Sequence, residues 1–366
     1  MLMYDVIVIG FGKAGKTLAA KLSSQGKKVA LIEKSKSMYG GTCINIACIP
    51  TKTLIVAAEK GLDFEQAMSE KNAVTNGKNY ATIAGTGVDI IDATARFVSN
   101  KVIEIQAGDE KEELTAETII INTGAVPTIL PIPGLAESKF AVNSTGIQRL
   151  ENLPKRLGVL GGGPIGLEFA HLYNTLGSQV TVLDASETFL PRIEPSIAAL
   201  AKGYLEEDGI QFLQGVHTQE IKDGEASLTL VTDKGDFEFD ILLYATGRKP
   251  NIELAQMMGL ELTEKGFIKV DSYYESSQTG VYAIGDLIPG YMLAHVASSE
   301  GIKAVRAICR QAEEPVDNSS VPRSLFTTPE IASFGLSEEE AVQQGYDISV
   351  GQLPYVYNGR AIASNS

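Results

Sequence analysis

An internal duplication constrains this sequence more than any other feature. Segments 8–33 and 159–184 align without a gap at an offset of 151 residues. Each copy begins with an apolar run (VIVIG; LGVLGG), continues through a glycine-rich turn and an amphipathic helical pattern, and ends with a second apolar run (KVALIE; QVTVLD) that closes on an acid. A strand–helix–strand unit of this length joins two parallel strands through a helical crossover. The sequence therefore predicts two α/β domains with parallel sheets.

Both copies carry three glycines with the spacing G-x-G-x-x-G, which are Gly10, Gly12 and Gly15 in the first and Gly161, Gly163 and Gly166 in the second. In this spacing the first glycine makes the strand-to-helix turn, the second lets backbone N–H groups reach a pyrophosphate, and the third lets helix and strand pack closely. The closing acids, Glu33 and Asp184, lie 23 residues after the first glycine, where a carboxylate accepts hydrogen bonds from a ribose diol. One such spacing is equally typical of a tight structural turn, but two complete units predict two Rossmann-like dinucleotide sites, which suggests a flavin and a nicotinamide.

A second repeat closes each half of the chain. The segments INTGAVP (121–127) and YATGRKPN (244–251) both bring an apolar strand into a Thr-Gly pair, at Thr123-Gly124 and at Thr246-Gly247. Each alone is typical of a strand followed by a turn. Their paired placement after the two βαβ units favours contact with the ligands.

Two cysteines lie in the segment GGTCINIACIPTK (40–52), between the first unit and its Thr-Gly strand. Thr42 is predicted to cap a helix that runs to residue 58. On a regular helix Cys43 and Cys48 would be about 7.5 Å apart along the axis alone, which exceeds the ~7 Å Cα separation that a disulfide tolerates. A bridge between them therefore requires a distorted first turn.

Pro50 favours that distortion, because it lacks the N–H that would bond the Ile46 carbonyl in a regular helix. A strained pair at a helix N-terminus is typical of a reducible, catalytic disulfide. The alternative is a pair of buried thiols in a cytosolic protein.

Composition excludes several classes of partner. The chain has 45 acids against 31 bases and a formal net charge of −14, so we expect no nucleic-acid or anionic-membrane partner. Three cysteines, no signal peptide and apolar runs shorter than the ~18–20 residues of a membrane span predict a cytoplasmic protein without a disulfide scaffold. Cys309 stands alone in a helical pattern and is predicted to be inert packing, and no metal site is predicted.

The chain resembles the class I pyridine nucleotide–disulfide oxidoreductases, whose signature is G-G-T-C-x-N-x-G-C-x-P-[ST]-K. That family includes lipoamide dehydrogenase, glutathione reductase, mercuric reductase and the reactive-chlorine-resistance and hypothiocyanous acid reductase flavoproteins. The resemblance covers essentially the whole chain in the family's order, through YAIGD (282–286). The first half looks most like the reactive-chlorine-resistance branch. The part after residue 286, with LAHVASSEG (293–301) and FTTPEIASFGLSEEEA, looks more like lipoamide dehydrogenase.

The resemblance implies a role for each matching residue. The residues implied for FAD are Gly10, Gly12, Gly15, Glu33, Gly41, Thr42, Thr123, Gly124, Gly285, Asp286 and the helix opening near Ala294. The residues implied for the nicotinamide cofactor are Gly161, Gly163, Gly166, Asp184 and Gly247. Cys48 would be the charge-transfer thiolate beside the flavin and Cys43 the interchange thiol. Lys52 and Glu168 would form an ion pair beside the flavin N5 and the nicotinamide, although sequence alone favours a solvated helix carboxylate for Glu168.

The implied function is an FAD-dependent oxidoreductase that passes electrons from NADH to a Cys43–Cys48 disulfide, and from there to a disulfide or a soft oxidant. A hypothiocyanous acid or reactive-chlorine reductase is favoured over dihydrolipoamide dehydrogenase. The Asp184 carboxylate favours the free 2′-hydroxyl of NADH over the 2′-phosphate of NADPH. The alternative from another class is a non-catalytic dinucleotide-binding fragment.

The chain departs from the family pattern in two places. Ala47 replaces the usual Gly between the cysteines. The family's interface domain carries a His-Pro base and forms a homodimer, whereas here FTTPEIASFGLSEEEA only begins that domain. None of the three histidines precedes a Pro, and each is predicted to be structural or exposed: His171 in the helix of the second glycine motif, His217 in a strand-like stretch and His295 in the helix near the flavin. A truncated member with a weakened dimer and impaired thiol–disulfide turnover is therefore expected.

The predicted domains follow the motifs. An FAD domain with the redox cysteines spans 1–147, a nicotinamide domain spans 148–279, the FAD domain resumes over 280–318, and an interface domain begins over 319–366. The polar stretch 310–322 is predicted to be a linker.

Overall fold

The computed structural model describes residues 2–75, 83, 85–309, 311 and 315–364. Residues 310 and 312–314 of the predicted linker lie outside this part of the chain. The described helices are α1 (Lys13–Ser24), α2 (Thr42–Asn45), α3 (Cys48–Glu59), α4 (Phe64–Thr75), α5 (Pro164–Thr175), α6 (Pro195–Glu207), α7 (Glu253–Met257), α8 (Ala294–Ile308), α9 (Glu338–Gln343) and α10 (Gly359–Ser364). The described strands are β1 (Leu2–Ile9), β2 (Val29–Glu33), β3 (Asp89–Asp92), β4 (Thr94–Ser99), β5 (Val102–Ala107), β6 (Glu110–Ile121), β7 (Ala125–Pro127), β8 (Ala141–Val142), β9 (Arg156–Leu160), β10 (Gln179–Asp184), β11 (Gln211–Gln214), β12 (Thr218–Asp223), β13 (Leu228–Thr232), β14 (Gly235–Phe239), β15 (Ile241–Tyr244), β16 (Arg248–Pro250), β17 (Val281–Ala283), β18 (Arg323–Leu325) and β19 (Ile331–Ser333).

The first repeat folds as the predicted βαβ unit. Strand β1 pairs in parallel with β2 and with β6, and the sheet order is β3-β2-β1-β6-β5-β4, with β17 on β6. The apolar run Val6–Ile9 is buried in a core that it shares with residues of α1, α8 and β5. Strands β4, β5 and β6 pair antiparallel, since their connections are too short for a helical crossover.

The second repeat builds a separate parallel sheet with the order β11-β10-β9-β15-β8. An antiparallel sheet of β12, β13 and β14 contributes to the adjoining apolar core. The prediction of two Rossmann-like sheets is therefore confirmed, with antiparallel additions to both halves.

The chain passes from one half of the molecule to the other at points that differ from the predicted domain boundaries at 147/148 and 279/280. Ala141 and Val142 already pair with the second sheet, whereas Leu254, Ala255 and Ile268 pack in the core of the first. The predicted limits followed the motifs, and the motifs do not record which core the intervening apolar residues join.

The predicted continuous helix over residues 42–58 is wrong. Helix α2 ends at Asn45 and α3 begins at Cys48, and Ala47 between them has the non-helical dihedrals φ −137° and ψ −100°. Gly41, with φ +82°, precedes α2, and Thr42 is its first helical residue rather than its cap.

By length and composition alone, Thr42–Glu59 also reaches the threshold of a membrane-spanning helix, with a mean hydropathy of 1.2 over 18 residues. The prediction that every apolar run is too short did not anticipate this, because the cysteine motif is itself rich in Ile, Ala and Cys. In the structure this stretch is two helices, and α3 packs against α4 and α5.

The C-terminal segment forms a short β18–β19 ladder followed by α9, which begins with a capping box between Ser337 and Glu340. Several large apolar side chains of this segment are exposed, among them Phe334, Leu353, Tyr355, Val356 and Tyr357.

Candidate redox and dinucleotide sites

The two glycine turns have the same geometry. Gly10 and Gly161 both have φ +108°, which side-chain-bearing residues rarely adopt. A Cβ on Gly10 would lie 2.3 Å from the Asn122 carbonyl oxygen, and one on Gly161 would lie 2.7 Å from the Ala245 carbonyl oxygen. Each turn therefore approaches the end of its own Thr-Gly strand so closely that only glycine fits.

The third glycine of each motif lets the helix contact that turn. A Cβ would lie 2.5 Å from the Gly10 carbonyl oxygen if placed on Gly15, and 2.0 Å from the Gly161 carbonyl oxygen if placed on Gly166. The second glycine differs between the two copies: a Cβ on Gly12 would lie 3.0 Å from the side-chain nitrogen of Asn122, whereas one on Gly163 would meet no atom within 4 Å. This open space at a helix N-terminus fits the phosphates of a dinucleotide.

Gly41 brings the cysteine segment onto the first turn. A Cβ on Gly41 would lie 2.6 Å from the Gly12 Cα. This contact places the start of α2 against the first predicted pyrophosphate site.

The two closing acids make equivalent hydrogen bonds. Glu33 accepts the N–H of Phe11 at 3.0 Å and of Ser35 at 3.1 Å. Asp184 accepts the corresponding N–H groups of Gly162 at 2.6 Å and of Ser186 at 2.8 Å. Each carboxylate is thereby fixed beside its glycine turn, and its remaining lone pairs can accept hydrogen bonds from a ribose.

The third predicted FAD segment lies at the start of α8. This helix begins at Ala294, as predicted. Asp286 is half-buried, and burial raises the pKa of its carboxyl group. The positive charge of Arg248 opposes this increase in pKa. Gly285 donates its N–H to Glu300 at 2.8 Å. Burial, opposed by this hydrogen bond, raises the pKa of Glu300 to about 7.

Sequence reasoning missed Glu300 and Arg248, although both stand within quoted motifs, LAHVASSEG and YATGRKPN. Their partners are distant in the chain or buried, so the motifs gave no sign of these contacts.

The two Thr-Gly segments bind each other. Strand β7 pairs antiparallel with β16. The Thr123 hydroxyl donates to the Asn251 carbonyl at 2.9 Å, and the Asn251 N–H donates to the Gly124 carbonyl at 2.8 Å. Gly247, with φ +99°, accepts the Thr128 N–H at 3.0 Å. The repeat therefore joins the two dinucleotide-binding halves, and its contact with the ligands stays a prediction.

The cysteines lie on opposite sides of the break between α2 and α3. Both are half-buried free thiols, joined by a hydrogen bond. The hydrogen bond from Cys43, together with the Lys52 charge, lowers the pKa of Cys48 to about 7 against the opposing effect of burial. The same hydrogen bond, together with burial, raises the pKa of Cys43. Cys48 is therefore the thiolate of the pair, and Cys43 is the hydrogen-bond donor.

Lys52 forms an ion pair with Glu168, joining α3 to the helix of the second glycine motif. Glu168 is 8% exposed, so its interpretation as a solvated helix carboxylate is wrong: this face of α5 packs against α3. Sequence reasoning missed Phe326, which no motif indicated. Its N–H donates to Glu168 at 3.2 Å, and its ring centroid lies 4.3 Å from the Lys52 ammonium.

The histidines lie where sequence analysis placed them, with one exception. His171 is buried in α5, with Nε2 3.6 Å from a Glu59 carboxylate oxygen. His217 is exposed and immediately precedes β12 instead of lying in a strand. His295 is exposed in the first turn of α8. Cys309 lies just after α8, and its thiol donates to Gln25 at 3.0 Å.

No cluster of three or more His, Cys, Asp or Glu side chains suited to a metal occurs among the described residues.

Comparison with known proteins gives one consistent result. The family described as pyridine nucleotide-disulphide oxidoreductase matches residues 4–301, and its dimerisation domain matches residues 321–366. The probable pyridine nucleotide-disulfide oxidoreductase RclA of Escherichia coli (strain K12) is 38% identical over 370 residues, covering 99% of this chain and 84% of that protein. The dihydrolipoyl dehydrogenase of Chlamydia muridarum is 33% identical over 384 residues, covering 98% of this chain and 82% of that protein.

Solved structures agree. The HOCl-induced flavoprotein disulfide reductase RclA from Escherichia coli superposes with a TM-score of 0.93 at 37% identity, covering 99% of this chain and 84% of that one. Its Cu(II) complex gives a TM-score of 0.93 at 37% identity, covering 100% and 84%.

Proposed function

The chain belongs to the pyridine nucleotide-disulphide oxidoreductase family, and we propose that it passes electrons from NADH, through FAD, to the Cys43–Cys48 pair and then to an external acceptor. The proposed acceptor is a disulfide or a soft oxidant of the hypothiocyanous acid or reactive-chlorine type. The observation that carries this proposal is the pair of half-buried thiols on either side of the break between α2 and α3, with Cys48 one helical turn from Lys52 of the Lys52–Glu168 ion pair. When bound, FAD would supply the two-electron relay between nicotinamide and thiols.

The described residues fit both cofactors. The open space at Gly163 and the carboxylates at Glu33 and Asp184 suit two dinucleotides. We propose that Lys52 and Glu168 orient the reacting rings at the point where the two halves meet. The half-buried Lys52 ammonium also stabilises the Cys48 thiolate.

The two cysteines divide the work on the acceptor. The Cys48 thiolate is in direct contact with the Cys43 thiol and can take its proton. The Cys43 thiolate then attacks one sulfur of a disulfide substrate, and the other sulfur leaves as a thiolate. Cys48, after losing the proton to that leaving thiolate, attacks the Cys43 sulfur of the mixed disulfide and releases the second substrate sulfur as a thiolate, which takes a proton from solvent. The net result is one substrate disulfide reduced to two thiols and one Cys43–Cys48 disulfide formed.

The family's dimerisation domain and its relatives also indicate a homodimer and disulfide substrates. The exposed apolar side chains of residues 334–357 support a self-associating surface there.

An anaerobic titration with NADH tests the function. We expect a yellow protein that develops a long-wavelength charge-transfer band between flavin and the Cys48 thiolate. Because the pKa of Cys48 is lowered to about 7, the band should grow as pH rises through 7. A group with a lowered pKa stabilises the fold above its ordinary pKa, so this contribution to stability should be lost as pH falls from about 8.5 towards 7. Flavin that bleaches with no band at any pH would exclude the dithiol from the electron path.

Cofactor preference is a separate prediction. We expect kcat/KM for NADH to exceed that for NADPH by roughly 10- to 100-fold, because Asp184 repels a 2′-phosphate. Asp184→Asn removes the charge and keeps one of the two oxygens that accept the N–H groups of Gly162 and Ser186, so it should narrow the ratio of kcat/KM for NADH to that for NADPH about 10-fold. Steady-state kinetics with both nucleotides measure this. Glu187 lies three residues further along the same loop. If Glu187→Gln narrows the ratio of kcat/KM for NADH to that for NADPH equally, the preference would come from the negative charge of the loop as a whole and not from Asp184 itself.

Dihydrolipoyl dehydrogenase is the second candidate, because the part after residue 286 resembles that branch and the relatives at 31–33% identity include it. The preferred substrate distinguishes the two candidate functions. Faster turnover with hypothiocyanite than with lipoamide supports the first, and efficient NAD+ reduction by dihydrolipoamide supports the second.

A further inference from the structure

The break between the two cysteines leaves one backbone carbonyl in need of a partner. In a regular helix the Ile46 carbonyl would accept the N–H of the residue at position 50, which is Pro50 and has none. The structure ends α2 at Asn45 and begins α3 at Cys48, so Ile46 lies inside the break. A half-buried carbonyl without a partner would favour rearrangement of this segment.

The partner is the Gln148 side chain. Its amide nitrogen donates to the Ile46 carbonyl at 3.0 Å and, with its second hydrogen, to the Ser144 carbonyl at 2.7 Å. Gln148 lies 102 residues from Ile46 in the chain and is 4% exposed. Both amide hydrogens are therefore used, and no water competes readily for this buried group.

Gln148 is also held from its other side. Its backbone carbonyl accepts the buried Lys71 ammonium of α4 at 2.5 Å. Helix α4 packs against α3, which begins with Cys48. The amide that reaches the break is therefore anchored by the same layer of helices that carries the redox pair.

We propose that Gln148 is a positioning residue of the redox pair, whose hydrogen bond to Ile46 holds the helix break in the form that brings the Cys43 thiol onto Cys48. This inference rests on the proposed function, because it assigns Gln148 a part in setting the properties of a working dithiol. Gln148 touches neither sulfur, and it acts only through the backbone between them.

The consequence is measurable because the thiol–thiol hydrogen bond depends on that backbone. If the Ile46 carbonyl loses its donor and the break relaxes, the Cys43 thiol moves off Cys48 and the Cys48 thiolate loses its largest stabilising contact. The charges facing the pair are unchanged when one neutral side chain replaces another at position 148; they are Lys13, Lys16, Lys52, Glu168 and Arg248. A shift in thiolate titration would therefore report geometry.

The experiment compares Gln148→Met, which keeps length and loses the donor, with Gln256→Met, the same exchange at an exposed position of α7. Cys48 is titrated in the two-electron-reduced holoenzyme by its charge-transfer band and, independently of flavin, by the ultraviolet absorbance of the thiolate. We expect the Cys48 titration in Gln148→Met to move up by about one pH unit towards that of a free thiol, a tenfold smaller thiolate ratio near neutral pH. We expect Gln256→Met to match the wild type.

Gln148→Asn is the second variant, for use if Gln148→Met does not bind flavin. It keeps a polar amide but is shorter by one C–C bond, about 1.5 Å, so it should shift the titration in the same direction. An unchanged titration in a folded, flavin-loaded position-148 variant overturns the inference while leaving the proposed function standing. An equal shift in Gln256→Met also overturns it. A wild type without any Cys48 thiolate band overturns the proposed function itself.

Discussion

Cys48→Ser is expected to abolish the charge-transfer band and to lower NADH-dependent disulfide reduction about 10³-fold or more, the order of loss seen when a covalent nucleophile is removed. The physical reason is that serine has no low-pKa thiol to accept the Cys43 proton or to displace the bound substrate half. Electron transfer from NADH to a flavin-reactive dye should survive, because it needs only the dinucleotide sites.

Single-turnover spectra and steady-state assays with a disulfide acceptor make this measurement. Cys309→Ser is the matched control, since Cys309 lies at the end of α8 and bonds only Gln25 among the described contacts of its thiol. Disulfide reduction retained in Cys48→Ser would show that Cys43 acts without a resolving thiol.

Lys52→Met is expected to have the second-largest effect, on stability and on flavin reduction together. It leaves the Glu168 carboxylate buried and without its ammonium partner, which typically costs about 3–5 kcal/mol for a fully buried pair. Because Lys52 is half-exposed and the Phe326 N–H still bonds Glu168, we expect a loss of about 2–4 kcal/mol in the free energy of unfolding. Flavin reduction by NADH should slow about 100-fold, as expected when a positioned group beside the reacting atoms is lost.

Urea unfolding and stopped-flow absorbance measure the two effects. Lys60→Met provides the control, because Lys60 is an exposed lysine just after the end of α3. The double variant Lys52→Met/Glu168→Gln should recover part of the stability but not the rate, since it removes the unpaired charge without restoring the pair. Full recovery of the rate would show that the ion pair serves the fold alone.

Sequence predicted most of the fold because its strongest signals are local. Gly10 and Gly161 must be glycine because a turn of a few residues requires their positive φ. The apolar runs around them are typical of buried strands. The same local reasoning predicted that a bridge between the cysteines requires a distorted turn, which Pro50 favours. It could not predict where the helix breaks, because the break is stabilised by Gln148 from 102 residues away.

The residues of the candidate site likewise include some whose proximity the sequence predicts and others that only tertiary packing brings together. Cys43, Cys48 and Lys52 lie in one motif, so their proximity follows from the chain itself. Phe326 reaches Glu168 across 158 residues, and only tertiary packing brings this residue, which directly follows β18, to that carboxylate. The burial of Glu168 is likewise a property of the α3–α5 contact and not of either helix sequence.

The ladder between β7 and β16 has a topological consequence. The chain leaves the flavin half through β7 and returns through β16, and the partners Pro127 and Arg248 lie side by side in antiparallel register. Paired residues of such a ladder are about 5 Å apart and can be joined by a two-residue hairpin. The nicotinamide half is thus inserted between two paired strands, in the position that a short hairpin loop would ordinarily occupy. It could be exchanged for the equivalent half of a relative, or replaced by an Asn-Gly turn, without cutting any strand of the host sheet.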